Sequence, residues 1–369
     1  MTYSILMILT IVIYKVLHEL KLVNRYSIMG LLLLCLSVMV TDPKIQYSLE
    51  NITLLGFGIF ISAIMLHKVK EMESNSIVGA LVLPWFFLVG IRLNNIIELA
   101  FFIIAIELLI FIYMGREIFK KKRLLTNFAN NFLVKSIVLV MIVLIYGSVK
   151  KTYMFVEFSG TGAEPLLQKL LLIGSVYILG LLGSFELNTN LGKIKGKSSQ
   201  LYIETISFIL LPYVIGPSIR AVYHEESLLL NDMFFSIVMM TIMVLFLYRW
   251  IINNKLCYGE KHNLLASYNV SYLFFALILS GNIESHEYLL LLGVNFLGLQ
   301  LLKKNKFFIA KKWIWYVMMS FPLTPLFIYK MNILNELVSE SSTLFSIVFG
   351  LFSLLTVLLV YKLDSSEVG

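Results

Sequence analysis

Residues 313–340 read WIWYVMMSFPLTPLFIYKMNILNELVSE, an apolar stretch long enough to cross a bilayer, interrupted near its middle by Pro322 and Pro325 and followed by Lys330. Proline has no backbone N–H, and its ring clashes with the preceding turn, so two prolines at this spacing break or kink a helix. In hydrocarbon, freed carbonyls and a buried ammonium are tolerated only where they face other protein or a wet cavity. A lysine at that depth costs about 2.5–3.5 kcal/mol on insertion scales. Two readings offset the cost. Either the broken helix and its cation form an ion site of the kind transporters build, or the prolines are a packing kink and the Lys330 stem reaches back to the surface.

The same apolar character runs through the whole chain. Of 369 residues, 59% are hydrophobic and 14% charged, with a mean hydropathy of +0.87. The apolar residues fall in blocks of about 15–26, around the length that spans a bilayer. Thirteen blocks can be drawn, near 3–18, 27–41, 52–67, 77–93, 96–114, 130–148, 166–185, 202–220, 233–252, 264–281, 287–302, 313–338 and 342–361. The reading is an all-α fold, a polytopic transmembrane helix bundle of about 13 helices forming one membrane domain over residues 1–369.

The placement of Lys and Arg tests that count independently of hydropathy. Loops after odd-numbered blocks hold 20 basic residues, among them Lys120, Lys121, Lys122 and Arg123, and Lys303, Lys304 and Lys306. Loops after even-numbered blocks, with adjoining block ends counted in both sets, hold six, and are acidic instead, with Asp42, Glu157, Glu164, Glu225 and Asp232. A miscounted helix scrambles this alternation. The odd loops therefore face the cytoplasm or mitochondrial matrix, and Met1 the other side. Topology also accounts for the net charge of +8, so the basic runs imply no nucleic-acid partner.

Cys35 and Cys257 lie far apart, and the five histidines show no paired ligand spacing, so the sequence carries no metal-site or disulfide signature. No phosphate loop or nucleophile elbow occurs, and the first apolar block has no cleavage signature, so it reads as a retained helix.

Topology leaves a few charges unexplained. Lys15 lies one turn from a helix end and can snorkel. Lys135 sits about one and a half turns into the sixth block, where snorkelling and a functional role are both open. Glu107, in FFIIAIELLIFIYMG, lies near mid-membrane with neither end in easy reach, as acidic residues of ion or proton paths do. Glu107, Lys135 and Lys330 are the candidate proton-path residues. Irregularity recurs in the eighth block, where ETISFILLPYVIGPSIR carries Ser207, Pro212, Gly216 and Pro217. Ser267, Tyr268, Asn269 and Ser271 in the tenth block and Asn295 in the eleventh fit either a hydrated track or ordinary interhelical hydrogen bonding.

The order of these features resembles the antiporter-like membrane subunits of respiratory complex I. SFPLTPLFIYKMNIL resembles their broken-helix signature, with Lys330 at the signature's lysine. LNNIIELAFFIIAIELLIFIYMG resembles their fifth helix, with Glu107 at its glutamate. NFLVKSIVLVMIVLIYGS resembles the sixth helix ending in Tyr146 and Gly147, VYILGLLGSFELN is similar to the Lys-x-Gly-Leu-x-Pro-Phe-His segment, and KHNLLASYNVSYLFFAL to the Lys-Arg-Leu-Leu-Ala-Tyr-Ser-Ser segment. The likeness makes residues 96–362 an antiporter-like core with discontinuous helices behind N-terminal helices in 1–95. It departs from the family at the seventh- and eighth-helix lysines, which align near Ile178 and near Leu211 or Pro212.

The resemblance implies a non-redox subunit of a proton-translocating NADH:ubiquinone reductase. It implies other membrane-arm subunits, including neighbouring antiporter-like ones, and lipids as partners. No cofactor falls in this chain; NADH, FMN, iron–sulfur clusters and ubiquinone belong to other subunits. The implied location is the mitochondrial inner membrane, with a bacterial inner membrane as the alternative. From other classes come a stand-alone secondary transporter or flippase, and a degenerate structural membrane subunit.

Overall fold

The structure is a computed structural model. It describes residues 2–23, 28, 30–31, 81–82, 85–86, 89–90, 93–119, 122–155, 164–178, 201, 203–221, 258–279, 285–304, and isolated positions within 234–245 and 313–354. Among these residues the chain is all-α, with no β-strand. In chain order the elements are α1 (Thr2–Glu19), α2 (Ile96–Phe119), α3 (Lys122–Lys150), α4 (Glu164–Ile178), a π-helical turn (Ile206–Leu210) running into α5 (Leu211–Arg220), α6 (Tyr258–Leu279) and α7 (Ser285–Lys304).

Each helix coincides with an apolar block, and several outrun it. α3 begins eight residues before block 130–148, and α6 six residues before block 264–281. Apolarity marks the part of a helix that leaves water, whereas the helix itself continues through polar residues until something caps it. At α2 that cap is Asn95, whose Oδ1 accepts from the Glu98 amide at 2.7 Å while Glu98 Oε2 accepts from the Asn94 amide at 3.2 Å. This is close to a capping box, satisfying donors the first turn leaves free. α1 ends in a Schellman-type turn: Leu22 N donates to Leu17 O at 2.9 Å and Lys21 N to His18 O at 3.0 Å, with Lys21 at φ 56°.

The irregularity expected at Pro212 takes the form of the π turn. A proline at 212 cannot donate to the carbonyl four residues back, and its ring crowds that carbonyl. Opening the preceding turn relieves the clash, and Leu211 N accordingly reaches back five residues to Ile206 O. Pro217 lies inside α5, which continues through it to Arg220.

By backbone contacts the chain divides into two compact units, residues 1–133 with 194–214, and 134–193 with 215–369. In the first, α2 buries Ile96, Leu99, Ile103, Ile106 and Ile110 along one stripe and leaves Phe101, 69% exposed, and Leu108 on the opposite one. Phe86 packs edge-on against Phe102 at 5.7 Å between centroids, and Gly90 lies so close to Val214 that an added Cβ comes within 2.5 Å of its Cγ2.

The second unit is built around α6, buried on every side from His262 to Ile278. α7 pairs with it, and Gly216 lets Leu277 and Tyr288 close in on the α5 backbone; a Cβ there comes within 2.8 Å of Leu277 Cδ2. α3 lies at the periphery, with Lys135, Leu139, Ile142 and Tyr146 turned inward and Ile137, Val140, Met141 and Leu144 exposed. Gly174 of α4 admits Ile142 and Val138 against its backbone, and Tyr146 Oη donates to Met154 O at 2.7 Å, pinning the chain that leaves α3.

Two helices among the described residues are long and apolar enough to cross a membrane, Ala129–Lys150 and Ile203–Arg220, with mean hydropathies of 2.4 and 1.2. Burial separates them: 22% of the first apolar window is buried and 78% of the second, so one lines the outside and the other the interior.

Candidate functional site

The polar residues of α6 form a connected site with α7 and the interrupted stretch 313–340. Asn295 of α7 donates through Nδ2 to the Ala266 carbonyl at 3.1 Å and accepts from Asn269 Nδ2 at 3.0 Å. The second hydrogen of Asn269 Nδ2 goes to the Met318 carbonyl at 2.8 Å. All three groups are buried, where amide hydrogen bonds strengthen and an unmade one is costly.

Met318 occupies a particular place in the sequence. In an unbroken helix its carbonyl accepts from the amide four residues on, which is position 322, and proline there has no N–H. Asn269 supplies the donor that Pro322 lacks. Val317 and Met318 are helical, and helix is present again at Leu326, Phe327 and Ile328. Thr324 caps this second piece: its carbonyl accepts from Phe327 N and Ile328 N at 3.0 Å each, and its Oγ1 from Phe327 N at 3.3 Å. Gly298 of α7 brings its backbone against Met318, whose Cγ is 2.6 Å from an added Cβ.

Toward one end of the hairpin Lys303 Nζ donates to Asn263 Oδ1 at 2.5 Å. Ser267 and Ser271 turn their hydroxyls back to the Asn263 and Ser267 carbonyls, at 3.0 and 2.9 Å, which satisfies both inside the helix.

Of the expected proton-path residues, Glu107 lies on the buried stripe of α2 in the first unit, 3% exposed, and Lys135 on the buried stripe of α3 in the second, 4% exposed. The Lys135 side chain is thus turned into its own unit rather than outward. Lys15 is exposed on α1. Lys330, with Pro322 and Pro325, lies outside the described residues. Ile178 and Leu211 are buried and apolar.

Sequence reading passed over Glu204, 1% exposed, and Gln168, both buried near the starts of apolar blocks. It also placed His262 at a block end. Because α6 starts six residues earlier, His262 is inside the helix and buried. Among the described residues no three His, Cys, Asp or Glu side chains gather as a metal site.

No family model matches the sequence, and no curated protein is significantly similar to it.

Proposed function

We propose that the chain is an integral membrane subunit of about thirteen spanning helices that conducts protons through ionisable side chains held inside the bundle. Its place would be in the membrane arm of a complex I-type NADH:ubiquinone oxidoreductase, where chain 2 is the subunit it resembles. One observation carries the reading: the helices are apolar outside and ionisable inside. Phe101 and Leu108 are exposed on α2 and Ile137, Val140 and Leu144 on α3, while Glu107 and Lys135 are buried on the opposite faces of the same helices. In water both halves of that arrangement are unfavourable, since exposed apolar surface forfeits about 25 cal/mol per Å². In a bilayer the outward faces meet hydrocarbon at no such cost, and only the buried charges need a purpose.

Buried carboxyl and ammonium groups suit proton transfer because low dielectric makes the proton affinity of each respond to charge placed near it. Where such groups lie near one another, a proton taken up at one changes the charge felt by the other. Glu107, Lys135 and Lys330 are the stations assigned to this chain. Lys135 stands in for the family's middle cations, which Ile178 and Leu211 lack. The redox steps, with NADH, FMN, iron–sulfur clusters and ubiquinone, fall to other subunits. The membrane is the mitochondrial inner one in this reading.

The test is proton flux in liposomes holding the assembled complex. Glu107→Gln and Lys135→Met should each lower pumping to a small fraction of the parent while the assembly migrates unchanged on native gels, and unchanged pumping overturns the roles assigned. A chain that migrates alone and couples flux to a solute is instead a stand-alone transporter.

A further inference from the structure

The orientation of the buried amide pair is fixed by chemistry. A backbone carbonyl only accepts, so the Asn295 group facing Ala266 O must be its NH2, which turns Asn295 Oδ1 toward Asn269. The Asn269 group facing both Asn295 Oδ1 and Met318 O must then be its NH2 as well, and both its hydrogens are spent. The remaining atom, Asn269 Oδ1, is an acceptor on a side chain only 2% exposed, and among the described residues it accepts no hydrogen bond. A buried amide oxygen in that state has given up its hydration without a replacement.

We propose that Asn269 Oδ1 binds a water molecule beside the helix break, shared with the Met318 carbonyl. The oxygen and nitrogen of one amide are neighbours, so a small donor seated on Oδ1 stands next to the carbonyl that Nδ2 grips. That carbonyl has a second lone pair and no donor from position 322. Two adjacent acceptors call for a small ligand with two donors, which is water. Asn295 acts as the positioning residue: without it, nothing compels Asn269 to present its oxygen. The bound water rests on this geometry alone. Only its use as a proton station rests on the function proposed above.

Radiolytic footprinting of the full-length protein in nanodiscs tests the site directly, because hydroxyl radicals formed from a bound water oxidise what lies beside it. Met318 is fully buried, so a dry site leaves it as protected as buried Phe274 once intrinsic reactivity is allowed for. The expected result is Met318 sulfoxide at a rate within tenfold of exposed Met154, lost in Asn269→Leu. Protection of Met318 in the parent protein overturns the proposal, and that reading does not depend on the variant folding. Labelling that requires Na+ and disappears in choline buffer assigns the oxygen to a cation and overturns it too. Met318 labelling in the parent together with unchanged proton flux in Asn269→Leu upholds the water and overturns its use in conduction.

Discussion

At the level of single residues, the most consequential side chains are amides rather than charges. Asn295 holds Asn269 by one hydrogen bond and α6 by another, both buried. Replacing it with leucine removes two bonds and leaves the Ala266 carbonyl with its helical partner alone, and one Asn269 hydrogen without an acceptor. Asn295→Leu should therefore lower stability by about 2–4 kcal/mol, at one to two kcal/mol for each buried group disturbed. Thermal unfolding of the purified protein in detergent reads this; an unchanged Tm means the pair carries no such weight. The sequence marked both residues for interhelical hydrogen bonding or a hydrated track, but not as partners, because they are 26 residues apart and one sequence gives no pairing across helices. The burial of Glu107 was legible, since it is a carboxyl eleven residues into an apolar block whose other glutamate, Glu98, sits at its start. The direction of Lys135 was not: its helix is apolar all round, so nothing in the residue order fixes which face turns inward.

At the level of elements, the presence of the described helices was legible, and where some of them start and how they bend was not. Hydropathy marks where side chains leave water, so the block edges fell inside α3 and α6, whose polar first turns precede them. Prolines announced irregular helices, but not their form. At Pro212 the preceding turn widens, whereas Thr324 caps the helical residues that follow it in an ordinary way. Pro322 yields a sharper expectation. If Asn269 replaces the donor that proline lacks, then Pro322→Ala returns an N–H to the Met318 carbonyl and makes Asn269 less necessary. In a double-mutant cycle, Asn269→Ala should cost about 1 kcal/mol less in the Pro322→Ala background than in the parent, the worth of one buried hydrogen bond. Strict additivity of the two changes in denaturation measurements refutes the substitution of side chain for backbone.

At the level of the molecule, the charge asymmetry between alternate loops makes a claim that packing alone does not. Basic residues number 20 after odd blocks and six after even ones, and the translocation machinery retains Lys and Arg in short loops on the side where synthesis occurs. α3 is the helix on which this can be decided. Its 29 residues make it about 43 Å long at 1.5 Å per residue, more than the roughly 30 Å hydrocarbon core. Its outward face is a continuous apolar stripe, and its ends meet Lys120 and Lys121 on one side and Lys150 and Lys151 on the other. Cysteines placed singly at Lys121 and Lys151, with Cys35 and Cys257 replaced by serine, should react with an impermeant maleimide from opposite faces of sealed vesicles, Lys121→Cys on the cytoplasmic or matrix face. Labelling of both from one face means that α3 does not cross. The outward stripe would then need another protein to cover it, and with the crossing would go the reason for reading Glu107 and Lys135 as charges stored within a membrane.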